Sequence, residues 1–220
     1  MKAIRWFACA TLVLSAAAHA EGFGVAAHAG SLGYGLDLNT RLADNFSGRF
    51  GFDYYKYSKS LTKDSIDYDA SFKWQTAHLL ADWYPWRGVF RATFGVVHNG
   101  NKLTLKATPG SQTVVIGGTS YTATDLGSLA GEMSFRSAAP YLGIGWGNPV
   151  APGKGWGFVA DIGALYQGWP QVTLKATCAA GSSLCSQLQN STAIEQVKLD
   201  NDLQSFKWYP VASIGFSYQF

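Results

Sequence analysis

Beyond its first twenty residues the chain has no apolar run of the roughly 18–20 residues that a membrane-crossing helix needs. Any membrane insertion of this part must therefore use strands closed on themselves, because only a helix or a closed sheet satisfies the backbone in hydrocarbon. Charge is scarce too: 14% of the 220 residues are Asp, Glu, Lys or Arg, 17 basic against 14 acidic. Two of the basic residues, Lys2 and Arg5, fall in the first twenty, leaving fifteen against fourteen in the remainder. With no basic tract and almost no net charge, nucleic acid is excluded as a partner and long-range steering is weak. Cysteine is limited to Cys9, Cys178 and Cys185. Their spacing fits no zinc pattern, and the sequence calls for no metal or cofactor.

What is present starts at the N-terminus. Lys2 and Arg5 precede an apolar run from Trp6 to Ala18, and Ala18-His19-Ala20 places small residues at the −3 and −1 positions before Glu21. Residues 1–20 read as a secretory signal peptide, with a single membrane anchor as the rival, and 21–220 as the exported domain. Cys9 follows Trp6-Phe7-Ala8, which is not a lipoprotein acceptor context. In an exported chain a Cys178–Cys185 disulfide is the default. Closing a loop of about eight residues restricts the unfolded chain by roughly 2–3 kcal/mol.

At the other end, Phe206, Trp208, Pro210, Ala212, Ile214, Phe216, Tyr218 and Phe220 alternate with smaller or more polar residues, the period of a strand with one greasy face. Similar segments, separated by turn-rich connections, are expected at 22–29, 32–42, 46–57, 66–84, 89–105, 133–147 and 156–174. The connections after the second, fourth and sixth are short and those after the third, fifth and seventh long, the parity of an eight-stranded barrel. The alternative is seven strands, with 22–42 as one bent strand. The strand map gathers Trp83, Tyr84, Trp86, Trp146 and Trp156 at the short turns, and Tyr54, Tyr57, Tyr68, Trp169 and Phe206 at the opposite ends, as two aromatic belts. A small hairpin is expected around Gly117-Gly118, and Thr192-Ala193-Ile194-Glu195 reads as a capping box opening a short helix.

The faces opposite the greasy side collect Asp37, Arg41, Arg49, Asp53, Lys73, Arg91, Asp161 and Lys207. Inside so narrow a barrel these charges are expected to pair into a lumen network that plugs it, the alternative being a selective polar path. Pro170 and Pro210, each lacking a ladder donor, mark a lateral seam between the seventh and eighth strands, with ordinary bulges as the plainer reading. His28, His78 and His98 show no His-x-Ser arrangement of the kind used by lipid A-modifying enzymes, so no catalytic residue is assigned.

The Ala18-His19-Ala20 site, the turn at Pro85, the stretch from Tyr141 to Gly147 and the closing Gly215-Phe216-Ser217-Tyr218-Gln219-Phe220 resemble small bacterial outer-membrane barrels of the protein A, X and W type. The resemblance implies an all-β, eight-stranded antiparallel up-and-down transmembrane barrel with long outer loops, in the outer membrane of a Gram-negative envelope. It implies Phe216, Tyr218 and Phe220 as the assembly signal read by the barrel assembly machinery, and outer-membrane lipids and lipopolysaccharide as surroundings. The function expected is structural or surface-interacting. The alternatives are a passive, porin-like channel or binder for a small apolar ligand, released near Pro170 and Pro210, and a lipid A-modifying enzyme.

Overall fold

The computed structural model describes residues 22–63, 66–109 and 113–220; the expected signal peptide lies outside the described residues. β1 (Phe23–Gly30) and β2 (Gly33–Ala43) are separate strands joined through Ser31-Leu32, with Gly30 opposite Gly33. The turn needs a glycine at 33, where φ is +111° and a Cβ would sit 2.8 Å from the Tyr54 carbonyl oxygen. β3 (Phe46–Lys63) and β4 (Ile66–Trp83) make a tall hairpin. β5 (Phe90–Asn99), β10 (Ala138–Trp146), β11 (Gly155–Tyr166) and β13 (Trp208–Gln219) complete a ring. The antiparallel order is β1-β2-β3-β4-β5-β10-β11-β13 and back to β1, an eight-stranded closed barrel with no free edge.

Side chains alternate inside out relative to a soluble protein. Leu36, Phe50, Leu79, Phe94, Leu142, Phe158, Ile162, Ile214 and Phe216 are exposed on the outer surface, whereas Asp37, Arg49, Asp82, Arg91 and Asp161 are buried within. Such a surface suits lipid and would be a liability in water. Trp83, Trp86, Trp146 and Trp156 ring the short turns, but Tyr84 turns inward and is 2% exposed. At the opposite level Tyr54, Trp169, Phe206 and Trp208 are exposed.

The connections expected as long loops are instead largely folded. β6 (Lys102–Pro109), β9 (Leu126–Ser134) and β12 (Gln171–Cys178) continue the wall outward in the order β4-β6-β9-β12. β4 serves both layers: Ile66–Lys73 pairs with β6 and Thr76–Trp83 with β5. The expected strands 89–105 and 156–174 are therefore each broken in two. At the first break Gly100 donates to the Gln75 carbonyl (2.8 Å), and the Gln75 amide donates to Asn101 Oδ1 (2.9 Å). One backbone bond and one side-chain amide oxygen thus replace the regular ladder where the chain changes partner.

Above the barrel, β7 (Val114–Ile116) and β8 (Thr119–Tyr121) form the expected hairpin. A helix, α1 (Cys185–Asp202), packs with it on the outer sheet. Ile116, Tyr121, Leu126 and Leu188 form a small core there, against Leu129, Ala176 and Cys178. The helix also guards the free edge of β12: Val172 N donates to Asp200 Oδ1 (2.9 Å) and Leu174 N to Gln196 Oε1 (3.0 Å), so two edge donors are occupied. The helix is longer than expected and begins at Cys185, where the Cys178–Cys185 disulfide ties it to β12. Thr192 caps nothing. It is buried mid-helix with its hydroxyl on the Leu188 carbonyl (2.7 Å), and Glu195 accepts from the Gly117 amide (3.3 Å).

Because this outer core is separate from the barrel, Leu188→Ala should loosen it alone, costing about 2–5 kcal/mol locally. The expected outcome is faster proteolysis of residues 102–134 and 171–203 in detergent, with the heat-modifiable gel migration of the barrel unchanged.

Candidate functional site

Inward parity places Asp37 on β2, Arg49 and Asp53 on β3, His78 and Asp82 on β4, Arg91 and Thr93 on β5, and Asp161 on β11 around one axis. Nearest the short turns, Ser47 Oγ meets Tyr84 Oη at 3.3 Å. The next layer is a knot of two guanidiniums and two carboxylates. Arg49 Nη2 donates to Asp82 Oδ1 (2.7 Å) and Arg49 Nη1 to Asp161 Oδ2 (3.1 Å). Arg91 Nη2 donates to both oxygens of Asp161 (2.9 and 2.8 Å), while Arg91 Nη1 reaches the carbonyls of Trp146 and Gly147. Thr93 Oγ1 donates to Asp82 Oδ1 (2.6 Å).

Outward of the knot lies a four-membered ring of alternating His and Asp. His28 Nε2 meets Asp53 Oδ1 (2.8 Å) and His28 Nδ1 meets Asp37 Oδ2 (3.4 Å). His78 Nε2 meets Asp37 Oδ1 (2.9 Å) and His78 Nδ1 meets Asp53 Oδ2 (3.3 Å). Both nitrogens of each imidazole therefore face carboxylate oxygens, Nε2 in a hydrogen bond and Nδ1 at ion-pair distance, so an imidazolium at each position would meet a carboxylate on both sides. With both imidazoles protonated the charges balance: Asp37, Asp53, Asp82 and Asp161 against Arg49, Arg91 and two imidazoliums. Arg49 Nη1, 3.8 Å from Asp37 Oδ2, links ring to knot. Each imidazole spans two carboxylates rather than converging with them, and among the described residues no three such groups are placed to hold a metal.

The next layer outward is apolar: Leu32, Leu80, Val97, Ala139, Tyr141, Leu165 and Val211, with Tyr209 against them, and beyond it the buried side chains of Asn99 and Gln167 meet, Asn99 Nδ2 donating to Gln167 Oε1 (3.5 Å). Between the apolar layer and the His/Asp ring remains a cavity of about 40 Å³, room for roughly one to three waters.

Of the eight charges read from the sequence, Asp37, Arg49, Asp53, Arg91 and Asp161 come together here, and three lie elsewhere. Arg41 has inward parity but sits at the rim, where its guanidinium donates to the Val150 carbonyl (Nε, 3.1 Å). Lys207 precedes β13, above the barrel, with Nζ 5.0 Å from the centre of the Trp169 ring. Lys73 belongs to the upper half of β4 and is on the outer side of the wall, opposite Lys56 and Lys102. His28, His78 and Asp82 complete the site. The signal for the last two is parity: Leu79 and Trp83 face lipid, so His78 and Asp82 must face in.

The expected seam is not a break. β11 and β13 pair without interruption from Gly155–Gln219 to Tyr166–Trp208, and Pro170 lies beyond that ladder. Pro210 shares parity with Ala212, which bonds Ser31 on the β1 side. β1 ends at Gly30, so the donor that Pro210 lacks faces a side with no ladder partner. Ser31 closes this low rim, its hydroxyl donating to the Pro210 carbonyl (3.2 Å) and its carbonyl accepting from Tyr209 Oη (2.6 Å). At the far end Phe216 packs edge-on to Phe158, Tyr218 packs against Trp156 and Phe220, and the Phe220 amide donates to the Phe23 carbonyl (3.1 Å).

The ring fits only because Gly35 and Gly51 leave it space. A Cβ on Gly51 would overlap both Asp37 Oδ1 and His78 Nε2. Gly51→Ala should therefore destabilise the barrel by about 1–3 kcal/mol, read as a lower denaturant midpoint in lipid vesicles. Gly48→Ala is the matched control, since its Cβ would meet Leu42 at an ordinary 3.4 Å and leave the midpoint nearly unchanged.

No protein-family profile matches the chain, and neither does any curated protein sequence. Solved structures do. Acinetobacter baumannii CarO2 is 25% identical over 91% of this chain and 99% of its own, with a TM-score of 0.56. A. baumannii CarO is 23% identical over 90% and 98%, with a TM-score of 0.57. A major outer membrane protein from Thermus thermophilus is 16% identical over 92% and 100%, with a TM-score of 0.50. With its closed ring, lipid-facing apolar side and polar interior, the chain has the fold of the eight-stranded outer-membrane β-barrels.

Proposed function

We propose that this barrel is a non-conducting, non-enzymatic membrane anchor for its outer sheet and helix, which form the surface that engages other molecules. The observation that carries this reading is the lumen, filled by a charge-balanced knot, a His/Asp ring and an apolar layer in succession. A solute passing through would have to separate paired charges in a site with no bulk water, at several kcal/mol per pair. His98 is exposed on the lipid side, opposite Ala77 and Ala138, with no nucleophile or carboxylate in its cross-strand row, which supports a role other than lipid modification. Export would proceed through cleavage after Ala20, and the aromatic end of β13 would be the segment taken up by the assembly machinery.

A groove beside the β1–β2 turn favours a second reading. It holds about 270 Å³ and is lined by Ala29, Gly30, Ser31, Gly33, Tyr34, Tyr55 and Trp74. A small apolar ligand would be held here at the outer rim, away from Pro170 and without passage through the barrel.

Planar-bilayer recording tests the first reading. The expected result is no discrete conductance steps and no uptake of small solutes by proteoliposomes, and regular ohmic steps would overturn it. For the second, apolar probes should quench Trp74 fluorescence, an effect lost in Trp74→Leu, without any such uptake.

A further inference from the structure

β4 carries its polar residues on opposite sides in its two halves, and the place where they cross is marked by cations. Going outward along β3, Phe50, Phe52 and Tyr54 face lipid and Lys56 follows them on the same side. Lys56 is directly opposite Lys73, and Lys73 directly opposite Lys102, so three lysines occupy one cross-strand row on the lipid side of the wall. Like charges placed opposite one another destabilise a sheet unless something anionic lies across them.

The chain supplies little of that. Lys102 Nζ is 2.8 Å from Glu132 Oε1, both groups half exposed. Among the described residues Lys56 and Lys73 have no carboxylate in salt-bridge range. The nearest others on this face, Asp69 and Asp67, lie farther out and accept from Ser60 (2.5 Å) and Thr62 (2.6 Å). Asp69 is directly opposite Lys106.

The height of the row identifies what does lie across it. Phe46 and Trp83 stack at the short-turn belt, and Lys56 is ten residues up the same strand from Phe46. At about 3.4 Å per residue and a tilt of about 35–45°, that is roughly 24–28 Å along the membrane normal, against an apolar band of about 25 Å. The lysines therefore stand where hydrocarbon ends and outer-leaflet headgroups begin.

We propose that Lys56, Lys73 and Lys102 form a seat for the phosphate groups of the outer leaflet's glycolipid. Long lysine stems run along the wall above Tyr54 while the ammonium groups reach the headgroup plane. The phosphates provide the missing counter-charge, fixing the barrel's depth and ordering the lipid beside the β3–β4–β6 wall. This site is independent of whatever the outer sheet engages and of whether the lumen conducts.

Native mass spectrometry of the folded barrel titrated with bisphosphorylated lipid A, or with its dephosphorylated form, tests the proposal. The wild type should prefer the phosphorylated form, and Lys56→Gln/Lys73→Gln/Lys102→Gln should bind it at least ~10-fold more weakly. The corresponding triple Arg variant should retain the preference, as should Lys154→Gln at a short turn. Heat-modifiable migration reports folding; if the triple Gln variant does not fold, Lys73→Gln alone should weaken binding about threefold. Undiminished preference in the Gln variants would overturn the proposal. So would complete displacement of lipid A by millimolar inorganic phosphate, which would make this a site for a soluble anion.

Discussion

Everything in this molecule follows from the absence of water around the backbone in hydrocarbon. An unpaired N–H or C=O there costs several kcal/mol, so the sheet must close, and it closes on eight strands. Eight strands enclose a space only as wide as side chains. The residues that fill it cannot be apolar throughout, since the apolar side of each strand already faces lipid. Closure thus dictates a polar interior, and narrowness dictates that the charges in it pair with one another.

That second demand explains the composition of the site. Four carboxylates and two guanidiniums leave a net deficit of two positive charges, which the two imidazoles of the His/Asp ring supply when protonated. The Arg/Asp knot could not be emptied by one substitution without stranding a buried charge, a far larger penalty than any single pair contributes when intact. An apolar layer, and beyond it the buried Asn99–Gln167 pair, lies between this balance and the outer sheet. A conducting pore of the same strand number would have to abandon both the charge balance and the layers beyond it.

The barrel is legible in the sequence because period-two alternation survives wherever a strand separates lipid from lumen. Strand number, short turns and the core members Asp37, Arg49, Asp53, Arg91 and Asp161 follow from that pattern, and the hairpin at Gly117-Gly118 and the disulfide from local turn residues and cysteine spacing. The pattern misleads where the environment changes without the backbone changing. β3 and β4 pair continuously from Phe46–Trp83 to Lys63–Ile66, with no register shift. Yet the greasy side passes from Leu79 on the outside to Phe72 and Trp74 on the other face, because above the membrane the outside is water. Placing Lys73 in the lumen carries the outer half's polarity down into the membrane, and the same step hides His78 and Asp82. The break at Gly100-Asn101 and the full length of α1 leave no periodic signal, since both depend on partners distant in sequence.

The same continuity determines how the outer layer sits on the barrel. Three of its strands, β6, β9 and β12, are separated from their barrel counterparts by non-ladder joints at residues 100–101, 135–137 and 167–170. Bending there is resisted by a few hydrogen bonds such as Asn99 N to the Ser137 carbonyl (2.7 Å) and Gln167 Nε2 to the Phe206 carbonyl (3.2 Å). The β3–β4 hairpin has no joint and crosses from lipid into water as one paired ribbon. The outer sheet is therefore carried by that ribbon and only trimmed in place by the others. A row of charges anchored at the headgroup plane lies where this ribbon leaves the membrane, the position from which it best fixes both layers.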